Sequence, residues 1–510
     1  PVMLSCTGAT ASRNYIPGLT EAFYRKLPVL AVTSGAPVYK AGHLIPQVLD
    51  RTSPLNDMVK VSVQVACFQN ADEQWAATIQ INKALMALRQ EGGGPAHINL
   101  ISYPDVYFKP LPIPAARKIS IVTEKGPWPE LKGKIGVYVG SHRKFSPQEE
   151  AAIENFCNRY NAVVFCDHTS NYKGEHGVLG ALIFGQVFAS YKTAVFDTII
   201  HLGEISGDYY SSILPENAKD VWRVHADGEI KDRFGRLSHI FQMTELDFFQ
   251  HYAPESASKQ MELAAEYQNL YKEIFQKLPE FPFSNIWAAK QLAPNLPAHS
   301  VLHLGILNSL RSWNFFSIPG SVSAYSNVGG FGIDGAVSAL LGASLANPAV
   351  LHFGVVGDLA FFYDMNALGN RYLKPNMRLL MVNNGKGVEF RNFNHPANQF
   401  GEEADLFMAA GGHFGRQSHT LVKNFAQDLG MEYLSASTKE EFSAAASRFL
   451  HPQITDKPML FEIFTNTDDE RNALEEILSI QKNFKGEIKQ SLKKTLGPTG
   501  IRLAKQIFKK

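Results

Sequence analysis

The sequence has little cysteine: Cys6, Cys67, Cys157 and Cys166 are widely spaced, and no C-x-x-C pair occurs. This excludes a disulfide framework and points to a reducing compartment, read here as the cytoplasm. No apolar run reaches the ~18 residues of a membrane helix, because Gly, Pro, Asn or a charge interrupts each one. No basic segment leads into an apolar one near the start, so export is not expected. Net charge is also missing: 49 Lys and Arg stand against 48 Asp and Glu, leaving +1, which provides no overall field toward nucleic acid or a membrane. Hydrophobic residues at 45% and charged residues at 19% exclude a disordered chain, and Gly 39 with Pro 27 excludes a collagen-like or low-complexity one. An initiating Met is absent as well. The chain runs from Pro1 straight into the strand-like PVMLSCT, which reads as a truncated record.

What is present is a 510-residue globular chain, and at roughly 150 residues per domain this suggests three domains. Apolar strand-like runs alternate with helical periodicity, the pattern of parallel sheets covered on both faces, so the expected class is α/β. The first series reads VMLSCT, a helix from about Asn14 to Lys26, LPVLAVTS, a long helix through QWAATIQINKALMALRQ, a GGGP break and AHINLIS. A second comprises KIGVYVG, a helix from about Pro147 to Tyr160, AVVFCD, FDTIIHLGEIS and DVWRVHAD. A helical stretch from Ala257 to Leu278 leads to the third, with SVLHLGI, AVLHFGVVGD, MRLLMVNN and PMLFEIF. The expected divisions are 1–114, 116–276 and 285–480, followed by a basic tail, 481–510. From Lys482 onward nine Lys or Arg face Glu487 alone, a local charge of +8, with Ile, Leu and Phe interleaved. That composition suits a solvated tail, an intersubunit arm or contact with an acidic surface.

The chemistry concentrates between Leu351 and Phe390. An apolar strand ends at Gly357-Asp358, a helix follows through about Leu373, and a second apolar strand ends at Asn383-Asn384. Such a β-α-β unit brings Asp358 and Asn384 to the carboxyl ends of neighbouring parallel strands, the edge where ligands bind. A carboxylate, an amide oxygen and a backbone carbonyl from the following loop form a hard-oxygen set suited to Mg²⁺, and a helix starting near Leu359 would point free N–H groups at an anion there. Taken singly, Asp358 reads equally as a helix cap and Asn383-Asn384 as a turn. Gly330, Gly332 and Gly335 spell G-x-G-x-x-G before a helix, yet AYSNV is a poor buried strand and no acid follows at the required spacing, so a dinucleotide site is not expected. His395, His413 and His419 follow the metal loop closely enough to serve as acid or base, and read equally as ordinary loop histidines. No Ser/His/Asp motif, zinc spacing or P-loop is present.

The Gly357-Asp358 and Asn383-Asn384 pairs resemble the G-D-x...N-N signature of thiamin-diphosphate-dependent enzymes. Within that superfamily, YSNVGGFGIDGAVSALLG and VGDLAFFYDMNAL are similar to segments of the menaquinone-pathway 2-succinyl-5-enolpyruvyl-6-hydroxy-3-cyclohexene-1-carboxylate synthases. CTGATASRNYIPGLTEAFYRKLPVLAVTS and GHLIPQVLD resemble their pyrimidine-binding domain. The resemblance implies that 1–114 binds the cofactor's pyrimidine and that 285–480 holds its diphosphate with Mg²⁺ or Mn²⁺. It implies metal ligation by Asp358, Asn384 and Lys386 through its carbonyl, and cofactor contacts from Gly332, Ile333, Asp334, Gly357, Asp358, Leu359, Asn384 and Gly387. Ile333 matches the apolar residue that bends the cofactor, and otherwise reads as a core Ile. Gln47 matches a glutamine facing the reacting groups, and Arg311 stands near a substrate-carboxylate arginine while reading equally as a surface residue.

The implied reaction is decarboxylation of a 2-oxoacid and transfer of the acyl-anion equivalent to an acceptor, with the protein supplying orientation and a dry cleft. The implied assembly is a homodimer or homotetramer with the cofactor at a subunit interface. The family's activating glutamate would lie upstream of CTGATAS, so the chain is expected to be cut inside its first domain. Two departures bear on substrate choice. Gly35-Ala36-Pro37 replaces the family's Asp-Arg-Pro and removes an arginine, and the loop NNGKGVEF introduces Lys386 and Glu389, the former read as a counter-charge for the latter or as binding another acid. These departures argue against isochorismate as acceptor. The alternatives are a simple 2-oxoacid decarboxylase or lyase, and a non-catalytic scaffold that keeps the fold.

Overall fold

The computed structural model describes residues 2–6, 9–41, 43, 45, 48–101, 117–186, 195–406 and 417–481. Gln47, His413, the segment from 482 onward and the expected boundary near residue 114 lie outside these residues. Two compact units emerge: Pro1–Glu130 with Asp220–Thr244, and Leu131–Lys219 with Glu245–Lys510. Strands pair in parallel within each, interleaved with helices, which is the expected α/β class.

In the first unit a four-stranded sheet runs in the order Val2–Cys6, Val29–Gly35, Ala96–Ile101 and Val61–Ala66. Its helix begins at Ile16 rather than Asn14 and ends at Tyr24, because residues 9–15 form a tighter 3₁₀ turn leading up to Pro17. Proline is tolerated in that first turn because its missing N–H has no partner there anyway. The long helix Ala71–Ala87 starts at Asn70, whose side chain accepts from the Glu73 N–H at 2.9 Å, the capping that a polar residue before an apolar stripe provides. The strand Val61–Ala66, VSVQVA, is not among the expected strands although it alternates apolar and polar residues, with Val63 and Val65 turned into the core.

The second unit contains Ile135–Val139, Val163–Cys166 and Thr198–Leu202, as expected, and Gly177–Leu179 besides. The helix Pro147–Tyr160 lies where predicted, closed at its start by a Ser146 and Glu149 capping box. The third series forms a six-stranded parallel sheet in the order Ser323–Ser326, Val301–Leu304, His352–Gly357, Met377–Asn383, Met459–Phe464 and Glu432–Ala436. Here AYS, read as a poor strand, does form one. It pairs on one side only, as an edge strand, where half burial suffices.

Strand order reverses between Val301–Leu304 and His352–Gly357, since the chain goes out to one edge and returns to the other side. Such a reversal opens a crevice at the carboxyl ends. Val337, Leu340, Met377, Leu379 and Leu460 pack the core beside it. A Cβ on Gly354 would stand 2.4 Å from Leu340 Cδ2 and 3.0 Å from Leu379 Cδ1, so a larger residue would push these leucine side chains aside where the helix Ala336–Ala346 packs on this strand. Among the described residues no helix is long and apolar enough to cross a membrane.

Candidate functional site

Parallel pairing aligns Gly357 with Val382, so Asp358 and Asn383-Asn384 leave adjacent strands at the same level. Gly357 ends a strand of this one sheet, and Arg311, Gly332, Ile333, Asp334, Asp358, Leu359, Asn384, Lys386 and Gly387 lie on the helices or loops that follow its strands at the carboxyl edge. Topology therefore gathers the predicted metal and cofactor residues and Arg311 at one edge, while Gln47 and His413 are undescribed.

Asp358 is 2% exposed. One carboxylate oxygen accepts from the Leu359 N–H at 2.7 Å and the other from the Gly385 N–H at 2.7 Å. Burial pushes its carboxyl up to about 7, opposed by the N–H groups of Leu359, Gly385 and Asn384. No cationic side chain among the described residues pairs with it. Gly385 has φ +78°, a left-handed turn open to glycine, and this turn brings its N–H back onto Asp358. Asn384 Oδ1 accepts from the Lys386 N–H at 3.2 Å. The expected helix to about Leu373 is shorter: α-helix spans Asp358–Asp364 and gives way to a 3₁₀ turn at Met365–Gly369. Asp364 leaves that helix to bond Ser338, accepting from its N–H at 2.6 Å. A helix this short supplies little macrodipole, so side chains and loop backbone carry the site.

Ile333 is half-buried and packs on the cluster of Val337, Leu340 and Phe361, in keeping with its core reading as well as with a cofactor contact. Lys386 does not act as the counter-charge of Glu389. Its Nζ meets Asp405 Oδ2 at 2.6 Å, and Arg391 donates to the same carboxylate at 2.9 and 3.0 Å. Glu389 is instead held by Arg311 through two bonds of 2.7 and 2.9 Å, with the guanidinium 4.7 Å from the Tyr209 ring centroid. Arg311 is 7% exposed, so the surface reading fails. Asn308 and Asn392 complete the network, Asn308 Oδ1 accepting from Arg311 at 3.1 Å and Asn392 donating to Glu389 at 3.1 Å. His395 stacks edge-on with Phe390 and His419 lies 4.1 Å from the Phe464 ring.

Glu470, missed in the sequence, is buried close by. Its Oε1 accepts from Thr465 Oγ1 at 2.7 Å and from the Asn285 N–H at 2.9 Å. In NTDDERN it looks like one more acid at a helix start, and nothing in that run marks it as buried. Desolvation raises it to about 7, and it raises the buried Asp208, bonded by Ser211 and the Tyr210 N–H, to about 6. Both folded values lie above the ordinary carboxylate range, so their stabilising contribution is complete below about pH 4 and is lost as pH rises through 6 to 7. Thermal unfolding of the ligand-free chain is expected to show Tm falling between about pH 4 and pH 7 and levelling off above. Glu470→Gln, which keeps the accepting oxygen, should flatten that fall, and an unchanged slope in the variant would refute the assignment.

The described donor set fits a hard divalent cation. A buried carboxylate with no cationic partner among the described residues, an amide oxygen and loop carbonyls lie on the loops that follow two adjacent strands, and these are the oxygens that Mg²⁺ prefers. No protein-family profile matches the chain. It is similar to proteins described as 2-succinyl-5-enolpyruvyl-6-hydroxy-3-cyclohexene-1-carboxylate synthase. The Bacteroides thetaiotaomicron protein is 27% identical over 492 residues, covering 93% of this chain and 86% of that one. Those of Flavobacterium johnsoniae and Cytophaga hutchinsonii are each 25% identical, covering 92% and 96% of this chain and 85% and 88% of theirs.

Proposed function

We propose that this chain, similar to those synthases over more than nine-tenths of its length, is a thiamin-diphosphate- and Mg²⁺-dependent enzyme that decarboxylates a 2-oxoacid and transfers the acyl-anion equivalent to an acceptor. The observation that carries this reading is Asp358, a buried carboxylate with no counter-cation among the described residues, at the end of a strand bordering the order reversal, with Asn384 on the loop after the adjacent strand. Asp358, Asn384 and the Lys386 carbonyl would hold the metal, with Gly357, Leu359 and Gly387 beside the diphosphate, and Gly332, Ile333 and Asp334 along the cofactor. When bound, thiamin diphosphate supplies the electron sink for loss of CO₂.

The chain's own residues position and exclude. The Gly385 turn fixes Asn384 and Lys386 against Asp358. Asp405 draws the Lys386 ammonium aside, which leaves that residue its backbone carbonyl to offer. Packing on the core holds Ile333 in place. Under the same reading the domains are 1–114, 116–276 and 285–480, Gln47 faces the reacting groups, and a homo-oligomer completes the site.

The Arg311 pairing bears on the acceptor. Glu389 already fills the guanidinium's two-pronged face, which favours an acceptor other than the dicarboxylate isochorismate, or a simple decarboxylase. The decisive measurement is CO₂ release from 2-oxoglutarate and other 2-oxoacids, with and without isochorismate. Release that requires both thiamin diphosphate and Mg²⁺ is expected. Absence of release from every 2-oxoacid, together with no cofactor binding, would overturn the reading in favour of a scaffold.

A further inference from the structure

The helix Glu262–Gln276 buries Leu263, Ala264, Tyr267 and Ile274 within the second unit. Tyr271 and Phe275, one turn apart, fall beside that stripe and share a side of the helix with Lys272. Phe275 is 40% exposed. One exposed aromatic residue needs no explanation, but this one stands on the wall of a cavity of about 240 Å³ whose other walls carry Lys290 and the buried Phe316. The Tyr271 and Phe275 rings stack with centroids 6.0 Å apart, and Phe316 meets Phe275 edge-on at 6.4 Å. The Tyr271 hydroxyl donates to the Phe315 carbonyl at 3.0 Å, which fixes that ring. Three aromatic side chains thus stand preformed around one cavity.

The charge on these walls is of one sign. Lys272 and Lys290 are the charged residues among the described lining, and no carboxylate joins them. The nearby acid Glu280 is bonded instead by Lys439 and by Trp287 Nε1 at 3.0 Å. Lys290 Nζ lies 5.6 Å from the Phe281 ring centroid, a neutral neighbour. Two ammonium groups on different sides of an apolar cavity make its potential positive, and an anion relieves it. The place is also separate from the Asp358 site. The helices Asn285–Leu292 and Asn308–Trp313 start at the sheet's carboxyl edge, where the Asn285 N–H bonds Glu470 and Arg311 bonds Glu389. Lys290 and Phe316 lie toward or beyond their far ends, near the amino ends of the strands that follow.

We propose that this cavity binds a small flat aromatic anion, one ring with a single carboxylate or phosphate group, its ring against Phe275 and Phe316 and its charge toward Lys272 and Lys290. A dry apolar cavity of roughly 150 Å³ takes up benzene, so the space here suits a ring with one substituent. Ring faces and edges offered by fixed aromatic side chains favour a flat partner over a puckered one.

The test uses the full chain without thiamin diphosphate or Mg²⁺, so its failure leaves the decarboxylase reading untouched. The probes are 4-fluorobenzoate, followed by ¹⁹F line broadening, and phenyl phosphate, followed by calorimetry. Two controls accompany them: 4-fluorobenzamide keeps the ring without the charge, and cyclohexanecarboxylate keeps the charge without the flat ring. Saturable binding of at least one aryl anion is expected, with a Kd on the order of 1 mM for so few atoms, and the tighter of the two identifies the group. Both controls should bind at least about fivefold more weakly. Phe275→Ala and Lys272→Ala, at exposed positions where folding is not at stake, should each weaken the aryl anion by about fivefold or more. The site is overturned if neither aryl anion saturates, if either control binds equally well, or if binding persists unchanged in Phe275→Ala and Lys272→Ala.

Discussion

Under the proposed function, Asp358→Asn is expected to weaken metal-supported binding of thiamin diphosphate on the order of 100-fold or more, about 2.7 kcal/mol, while the variant folds. The reason is the setting of the carboxylate. At 2% exposure, with burial raising it to about 7, the charged form is poorly solvated and has only backbone N–H partners. A divalent cation is the partner that this environment lacks, and removing the charge removes the cation's strongest ligand. The substituted amide keeps one accepting oxygen for the Leu359 or Gly385 N–H, so the fold does not depend on the charge. Calorimetric titration in Mg²⁺, with thermal unfolding of the same samples, separates the two effects. Unchanged cofactor affinity in Asp358→Asn would remove the metal site from this place in the fold.

The second large effect concerns stability. Arg311→Met leaves Glu389 partly buried without its counter-charge, and Glu389→Leu leaves Arg311 buried without one. Each is expected to cost about 3 kcal/mol. The double variant Arg311→Met/Glu389→Leu should recover most of that loss, because two apolar side chains replace a desolvated pair whose net contribution is small. A double-mutant cycle by denaturant unfolding reads the coupling directly. By comparison Lys386→Ala breaks a more exposed pair, one that leaves Asp405 still held by Arg391, and should shift stability by less than about 1 kcal/mol. If the double variant were as unstable as the singles, the pair would be holding the loop by shape rather than by charge.

The centre of the candidate site was readable because its residues are local in sequence. Gly357-Asp358 and Asn383-Asn384 close two uninterrupted apolar runs, and parallel pairing of adjacent strands then brings their ends level. The class followed from the same alternation of strand and helix. The short edge strand Ser323–Ser326 was read as a poor strand because few of its residues need to be apolar, whereas Val61–Ala66 was missed although its valines alternate with polar residues.

Charge pairing was decided elsewhere. Lys386 stands three residues from Glu389 and was the natural partner in sequence, yet Asp405 holds Lys386 while Arg311, 78 positions from Glu389, takes the acid. Glu470 lies in a polar run that gives no sign of burial. It is buried because the chain folds other elements over it, and its raised titration follows from that cover. The sequence by itself determined the α/β class and which loop ends meet at the sheet's carboxyl edge, since strand periodicity and parallel register are local rules. Which charges are neutralised, and which are left needing a ligand, only the tertiary structure decided, because Coulomb energy and desolvation depend on distance and burial in space.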